Sequence, residues 1–452
     1  MGKITLEQAA LWCGGSVDPK YKDITFFGAS NDTRTLKKGQ LFVALQGQRD
    51  GHEFVPAAME KGAAAVLCAH ADGDYPAIVV ADPRTALGDI ARGERNRLNM
   101  KVVGVTGSVG KSTTKEMIAC VLETTYRVGK SPANHNNDLG LPMAILALPE
   151  DTQVAVLEMG MNHFREMAYL SSVAQPDVAV IINIGTMHIE HLGSREGILQ
   201  AKMEILEGLK PEGTVILNGD DPLLWNARKD ISRCSYFGVS NEASVVHGSN
   251  VKVERGLVGF QVDYRDIHFP IELPVEGEHF VDDALAAICV GIALCVRPED
   301  IQQSLSQFQN MAGRQEILQV KGYTIIKDCY NAGPESMAAA LNVLGNQSGR
   351  KIAVLGDMLE LGVCTQAEHY RVGRIAAEKA DILLAYGPNS SRVLDGATTG
   401  GMIGGKARAF DDRKALAEAL KRLAKPGDVM LFKGSRGMHM ELALEMFLAE
   451  EK

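Results

Sequence analysis

A turn of two glycines ahead of a lysine and two hydroxyls is the segment of this 452-residue chain best equipped for chemistry. Residues Gly107, Ser108, Val109, Gly110, Lys111, Ser112 and Thr113 follow the apolar run VVGVT and precede TKEMIACVLE, which has a helical pattern. Glycines let backbone N–H groups turn toward a phosphate, and the helix N-terminus adds positive potential. The lysine reaches the β and γ oxygens, and the next hydroxyl can hold magnesium. The strict pattern asks for glycine at position 105, where Val105 stands, so the loop is a shortened one. A glycine turn with a surface lysine is the bland alternative, and the strand before and helix after make it the lesser one. Binding of ATP with Mg2+ is the expectation; binding alone names no reaction.

Magnesium takes oxygen ligands, so a carboxylate is expected near the loop. Glu158 lies near the end of the apolar run VAVLEMG, and ligands of open parallel sheets gather at the carboxyl ends of strands. A glutamate inside a core strand is costly to bury unless paired or metal-bound. His188 and Glu190 follow the next apolar run, in NIGTMHIEHLGS. For His188 a satisfied polar contact and a ligand role weigh equally. Lys202, in REGILQAKMEIL, reads by itself as a solvated lysine on a helix face.

These residues need elements to position them. The first hundred residues mix short β-rich runs (QLFVAL, AAAVLC, AIVVA) with helical pieces and end in the charged stretch ARGERNRLN, where a linker is expected. From Val102 onward near-continuous apolar strands alternate with helices, which implies a parallel sheet covered on both faces. Residues 244–274 interrupt the alternation with patterns such as VKVERGLVGFQVDY, an expected antiparallel hairpin insert, and a helix follows from about His279. After Ala312-Gly313-Arg314 the alternation restarts with YTIIKD, IAVLGDM, DILLAYG and DVMLFKG, a second doubly wound unit. The expected architecture is α/β in three domains: a small mixed unit at 1–98, a central parallel-sheet ATPase unit at 99–312 and a Rossmann-like unit at 313–452. At this length two or three cores are expected.

Composition narrows the function. With 47 Lys and Arg against 56 Asp and Glu the formal charge is -9, which disfavours nucleic acid or an anionic membrane surface as a general partner. Eight scattered cysteines form no C-x-x-C pair and no zinc-like spacing, so they read as small hydrophobes in a reducing compartment. MGKITLEQAA has neither the basic flank nor the apolar core of a signal peptide. The longest apolar run, Ala284 to Val296, falls far short of the roughly 20 residues that span a bilayer. A soluble cytoplasmic protein, and a monomer, is expected.

The motifs together resemble the Mur ligase family over essentially the whole chain. TGSVGKST is similar to its shortened phosphate loop, and Glu158, His188 and Lys202 fall at its metal-binding and carbamylated-lysine positions, in matching order and spacing. The resemblance implies that an acyl phosphate forms from a carboxylate and ATP and is attacked by an amine. It assigns Lys111, His188 and Lys202 to catalysis and Ser112, Glu158, His188 and Lys202 to the metal. It brings the segment 107–113, His279, Asp283 and Arg314 to the nucleotide. Near the start, Asp32-Thr33-Arg34 and GQLFVALQGQRDGHEF resemble a UDP-muramoyl-binding domain. Asp328, Tyr330 and Asn331, with GDMLELG, Lys433 and Arg436, resemble the member that adds D-alanyl-D-alanine to a UDP-N-acetylmuramoyl tripeptide. The amide-rich ANHNNDLGLP, with Asn134, Asn136 and Asn137, suits the peptide. The chain departs from the family at Phe280, Asp283 and Gly333, where asparagine is usual. Rivals are another ligase of this chemistry, folate polyglutamate ligases included, and a nucleotide-gated binding protein that ligates nothing.

Overall fold

The computed structural model describes residues 3–132, 134–254, 256–311 and 313–449. Ala133, at the head of the amide-rich segment, and Ala312, at the expected second boundary, lie outside them.

The chain builds three principal sheets. The first has five short strands, in spatial order Ser16–Val17, Ala77–Val79, Ala65–Cys68, Leu41–Val43 and Ala29–Ser30. The second has nine. Val128–Lys130, Val154–Glu158, Lys101–Thr106, Val178–Ile181, Thr214–Asn218 and Cys234–Gly238 run parallel, and Val246–Glu254 continues them. Leu257–Tyr264 and Ile267–Leu273 then fold back antiparallel. The expected hairpin is therefore there, with a third strand, and it extends the parallel sheet rather than standing apart from it. The third sheet has six strands in the order Glu316–Val320, Tyr323–Asp328, Val429–Lys433, Lys351–Gly356, Ile382–Tyr386 and Ala407–Phe410. All its pairs are parallel except the first, whose edge strand is antiparallel.

Helices cover both faces of the central sheet, as its two-sided apolar strands require. On one face Lys111–Glu123 and Phe280–Ala293 pack over Val103, Val105, Val156 and Val180. On the other, Met167, Leu170 and Ile205 join Leu157 and Ile181, and this core runs on without a break into Ile4, Leu41 and Leu87 of the first hundred residues.

That continuity corrects one expectation. ARGERNRLN is no linker but the last half of a 16-residue helix, Pro83–Leu98, which ends at Asn99 in the left-handed conformation. Asp82 caps its start by accepting from the N–H groups of Arg84 and Thr85. Charge alone misled here, because Arg95 is buried at 1% exposure. Its guanidinium donates to the carbonyls of Ala174 and Gln175 and to Asp177 Oδ2, each at 3.0 Å. Those acceptors sit where a central helix ends and the next strand begins, so the helix is riveted to the central sheet.

Candidate functional site

The phosphate loop connects Lys101–Thr106 to Lys111–Glu123 at the carboxyl end of a central strand. Gly110 caps the helix with φ 87°, and a Cβ there would meet Asp283 Oδ1 at 2.6 Å, so glycine is required on both counts. No side chain caps this helix start, which leaves its first-turn amides for a ligand. Lys111 Nζ curls over the loop and donates to the carbonyls of Gly107 (2.8 Å) and Ser108 (3.3 Å). Burial holds its pKa below the usual lysine value.

Asn183 fixes the loop from the neighbouring strand. Its Oδ1 accepts from the amides of Ser108 and Val109, and its Nδ2 donates to the Val109 carbonyl, all at 3.0 Å. Ser108 Oγ in turn accepts from the Gly185 amide. Sequence reasoning passed over Asn183, although it follows an apolar strand as Glu158 does, and the same rule about strand ends would have found it.

Glu158 closes its strand at 3% exposure. One oxygen accepts from Ser112 Oγ at 2.6 Å and the other from Asn136 Nδ2 at 2.7 Å. Ser112 Oγ also accepts from Arg314 Nη2 at 2.8 Å, so a residue entering the third sheet reaches the phosphate loop. Arg314 lies over the Tyr330 ring, 4.1 Å from its centroid. Beside them Lys433 Nζ, 2% exposed, donates to Asp328 Oδ2 at 2.6 Å and to the Asn331 carbonyl at 3.0 Å, tying the motif's loop to an adjacent strand. His279 is driven down to about 4 by burial and is neutral at ordinary pH.

Two further glutamates join the third sheet to the central one. Glu335 Oε1 accepts from the amide and hydroxyl of Thr186, each at 3.1 Å. Glu360 Oε2 meets His188 Nδ1 at 2.6 Å, and that contact holds the carboxylate below its usual pKa. Both lie in or beside segments that carried the resemblance, Glu360 within GDMLELG and Glu335 just after Asn331, but no sequence signal marked their partners, which are 149 and 172 positions away. Gly333 is also explained: a Cβ there would sit 2.7 Å from Met187 Cγ, so Met187 fills the space an asparagine would need.

Many of these groups border a cavity of about 870 Å³, though Asn183, Glu335 and Glu360 stand behind its lining. Ser108 to Thr113, Asn136, Asn137, Glu158, His188, His279, Asp283, Arg314, Asp328, Tyr330 and Asn331 all line it, with Arg84 and Thr85 from the helix Pro83–Leu98. Gly107, Thr33, Arg34, Asn134 and Lys202 do not. Arg34 is exposed and ion-paired with Asp32, and Lys61 Nζ donates to the Thr33 carbonyl. Asn137 Oδ1 accepts the amide of Gly140 at the start of the helix Gly140–Leu146, a structural job. Lys202 corrects its local reading: it is not a solvated lysine but 2% exposed. Its pKa is well below the usual value because of burial and then the charge of Lys111.

The donor chemistry suits a nucleotide with magnesium. Ser112 and Glu158 offer hard oxygens, and among the described residues no cluster of three or more His, Cys, Asp or Glu stands ready to cage a metal. Magnesium typically keeps several waters and shares its shell with phosphate.

A phosphate loop whose serine is touched from another sheet makes a nucleotide site that residues of a second sheet reach, and comparison with known proteins makes it that of an ATP-dependent ligase. The chain belongs to the Mur ligase family. Residues 105–291 match the Mur ligase middle domain and residues 313–436 the Mur ligase glutamate ligase domain. The chain is 40% identical to the UDP-N-acetylmuramoyl-tripeptide--D-alanyl-D-alanine ligase of Bacillus subtilis (strain 168), over 98% of this chain and 97% of that one. It is 34% identical to the enzyme of the same name from Escherichia coli (strain K12), over 93% of each. Its fold matches a crystal structure of MurF from Acinetobacter baumannii with a TM-score of 0.91 at 34% identity over 100% of both chains. It also matches MurF ligase from Thermotoga maritima in complex with ADP, with a TM-score of 0.82 at 30% identity over 93% of this chain and 97% of that one. No helix among the described residues is long and apolar enough to cross a membrane.

Proposed function

We propose that the chain joins D-alanyl-D-alanine to a UDP-N-acetylmuramoyl tripeptide at the expense of ATP, in peptidoglycan precursor synthesis, as a cytoplasmic monomer. The observation that carries this reading is the Ser112 hydroxyl held between Glu158 and Arg314. One face of the cavity thus belongs to the nucleotide and metal, and the other to the third unit.

The tripeptide's terminal carboxylate attacks the γ-phosphorus, ADP leaves, and an acyl phosphate forms. The amine of D-alanyl-D-alanine then attacks the acyl carbon, phosphate leaves, and the amine loses a proton. Magnesium, when bound, neutralises charge on the transferring phosphoryl group. Ser112 and Glu158 would hold it, with His188 and Lys202 completing the site. Lys111 swings from the Gly107 and Ser108 carbonyls to the β and γ oxygens, and Arg314 adds positive charge from the opposite side. Asp328, Tyr330 and Asn331 border the cavity where the incoming dipeptide would lie. The uridine end extends beyond the cavity toward Thr33 and Arg34, on a first unit of residues 1–98. The central unit spans 99–312 and the third 313–452.

Lys202 has a distinct part. Its amine makes no hydrogen bond or ion pair with a described residue and is almost wholly buried, which disfavours the charged form. Its neutral amine adds carbon dioxide, losing a proton, to give a carbamate whose oxygens suit magnesium.

Phosphate release tests the reading. It should require ATP, magnesium, a UDP-muramoyl tripeptide and D-alanyl-D-alanine together, with lysine-containing and diaminopimelate-containing tripeptides compared. A nucleotide-gated binding protein would bind ATP and release no phosphate with any combination.

A further inference from the structure

Asp283, one of the positions where the chain departs from its family, sits in the first turn of the helix Phe280–Ala293 and is 4% exposed. It forms no ion pair with any described residue; Arg314, whose charge acts on it, is engaged with Ser112. Its Oδ1 lies 2.6 Å from Thr114 Oγ1, and Thr114 Oγ1 lies 3.1 Å from the Gly110 carbonyl. A threonine hydroxyl has one proton. If Asp283 were ionised, two acceptors would compete for it, and one short contact would be left without a hydrogen. The carbonyl cannot supply the missing proton, whereas a carboxylic acid can. The same oxygen is also the atom that a Cβ on Gly110 would strike, so the carboxyl lies directly beneath the phosphate turn. A negative charge there would oppose any polyphosphate in the loop.

We propose that Asp283 is a neutral carboxylic acid that positions the phosphate loop, donating to Thr114, which passes its own proton to the Gly110 carbonyl. It is a positioning residue, acting through Thr114 and Gly110 rather than on the substrate. The charges around it agree. Burial pushes Asp283 up to about 8; Thr114 and Arg314 oppose that rise, and Asp282 adds to it. Asp282, on the same helix, is itself raised to about 7 by burial and by Asp220 and Glu278. His279, one turn earlier, is neutral, and Lys111 belongs to the loop that Asp283 supports. The acid does what an amide would do there: it presents a donor without a charge.

The inference rests on the nucleotide reading of the loop, and the full chain with ADP as probe separates the two. Calorimetry at pH 7 and pH 9, without divalent metal, should show wild-type affinity falling about tenfold, since with a pKa of about 8 the neutral share of the acid falls about tenfold between those pH values. Asp283→Asn, which keeps an uncharged donor, should hold its pH 7 affinity at pH 9. Parallel pH profiles for the two proteins would overturn the inference while leaving the nucleotide site intact. Absence of ADP binding by wild type at both pH values would overturn the nucleotide reading and the inference with it. Carbon-13 NMR of the aspartate carboxyls gives a direct reading once the Asp283 signal is assigned by its loss in Asp283→Asn and so told apart from Asp282. The Asp283 carboxyl should still titrate above pH 7, and its complete ionisation by pH 6.5 would contradict the proposal.

Discussion

Lys202 shows how far a single residue's meaning depends on the fold. Its helix register gave no reason to bury it, yet the segment Arg195–Met203 turns it inward toward Lys111. Only the family pattern distinguished it beforehand, because burial of a lysine is decided by elements far away in sequence. Lys202→Ala should lose nearly all turnover, and short-chain carboxylates that refill the missing oxygen position should restore part of it. Near-normal activity in that variant would remove the carbamate from the account. Glu158 was legible for the opposite reason: a glutamate ending an apolar strand has few fates, and here it meets Ser112 and Asn136.

At the scale of elements, the phosphate loop and its flanking strand and helix could be read directly, since glycine spacing and apolar runs are local signals. Lys111→Ala should reduce turnover by orders of magnitude and leave UDP-tripeptide affinity nearly unchanged, because the proposed function puts the lysine on the phosphates and the sugar nucleotide on another unit. Calorimetry without ATP checks this, and equal loss of tripeptide affinity would break the assignment of substrates to units. The helix Pro83–Leu98 was not legible, because its charged residues look solvated until Arg95 finds the carbonyls of Ala174 and Gln175. Arg95→Ala should destabilise the fold by roughly 3 kcal/mol, since it strands those acceptors and Asp177, measurable by urea unfolding. Asp283 adds a pH term on the first turn of its own helix. Its folded pKa of about 8 exceeds the ordinary aspartate value, so between the two the native state alone keeps the proton. Stability from this group is full at acid pH and is lost as pH rises toward 8. Between pH 5 and pH 8 the wild type should therefore lose more stability than Asp283→Asn; equal losses would contradict a raised pKa.

Over the whole molecule, the three sheets and most strand positions followed from the alternation of apolar runs, while the contacts between units did not. Arg314 with Ser112, Glu335 with Thr186 and Glu360 with His188 each join positions more than a hundred residues apart, which no local pattern encodes. These contacts hold the third sheet against the central one beside the phosphate loop, the arrangement a ligase needs when one substrate must be activated and then met by another. Glu335→Ala should lower kcat with little change in ADP affinity, because it loosens the approach of the third unit without touching the loop; equal ADP loss would tie Glu335 to the nucleotide instead. The central claim, transfer through an acyl phosphate inside this cavity, is tested most directly by oxygen tracing. With oxygen-18 in the tripeptide's terminal carboxylate, turnover with ATP and D-alanyl-D-alanine should place one labelled oxygen in the released phosphate. Phosphate free of label, formed while the amide product accumulates, would contradict it.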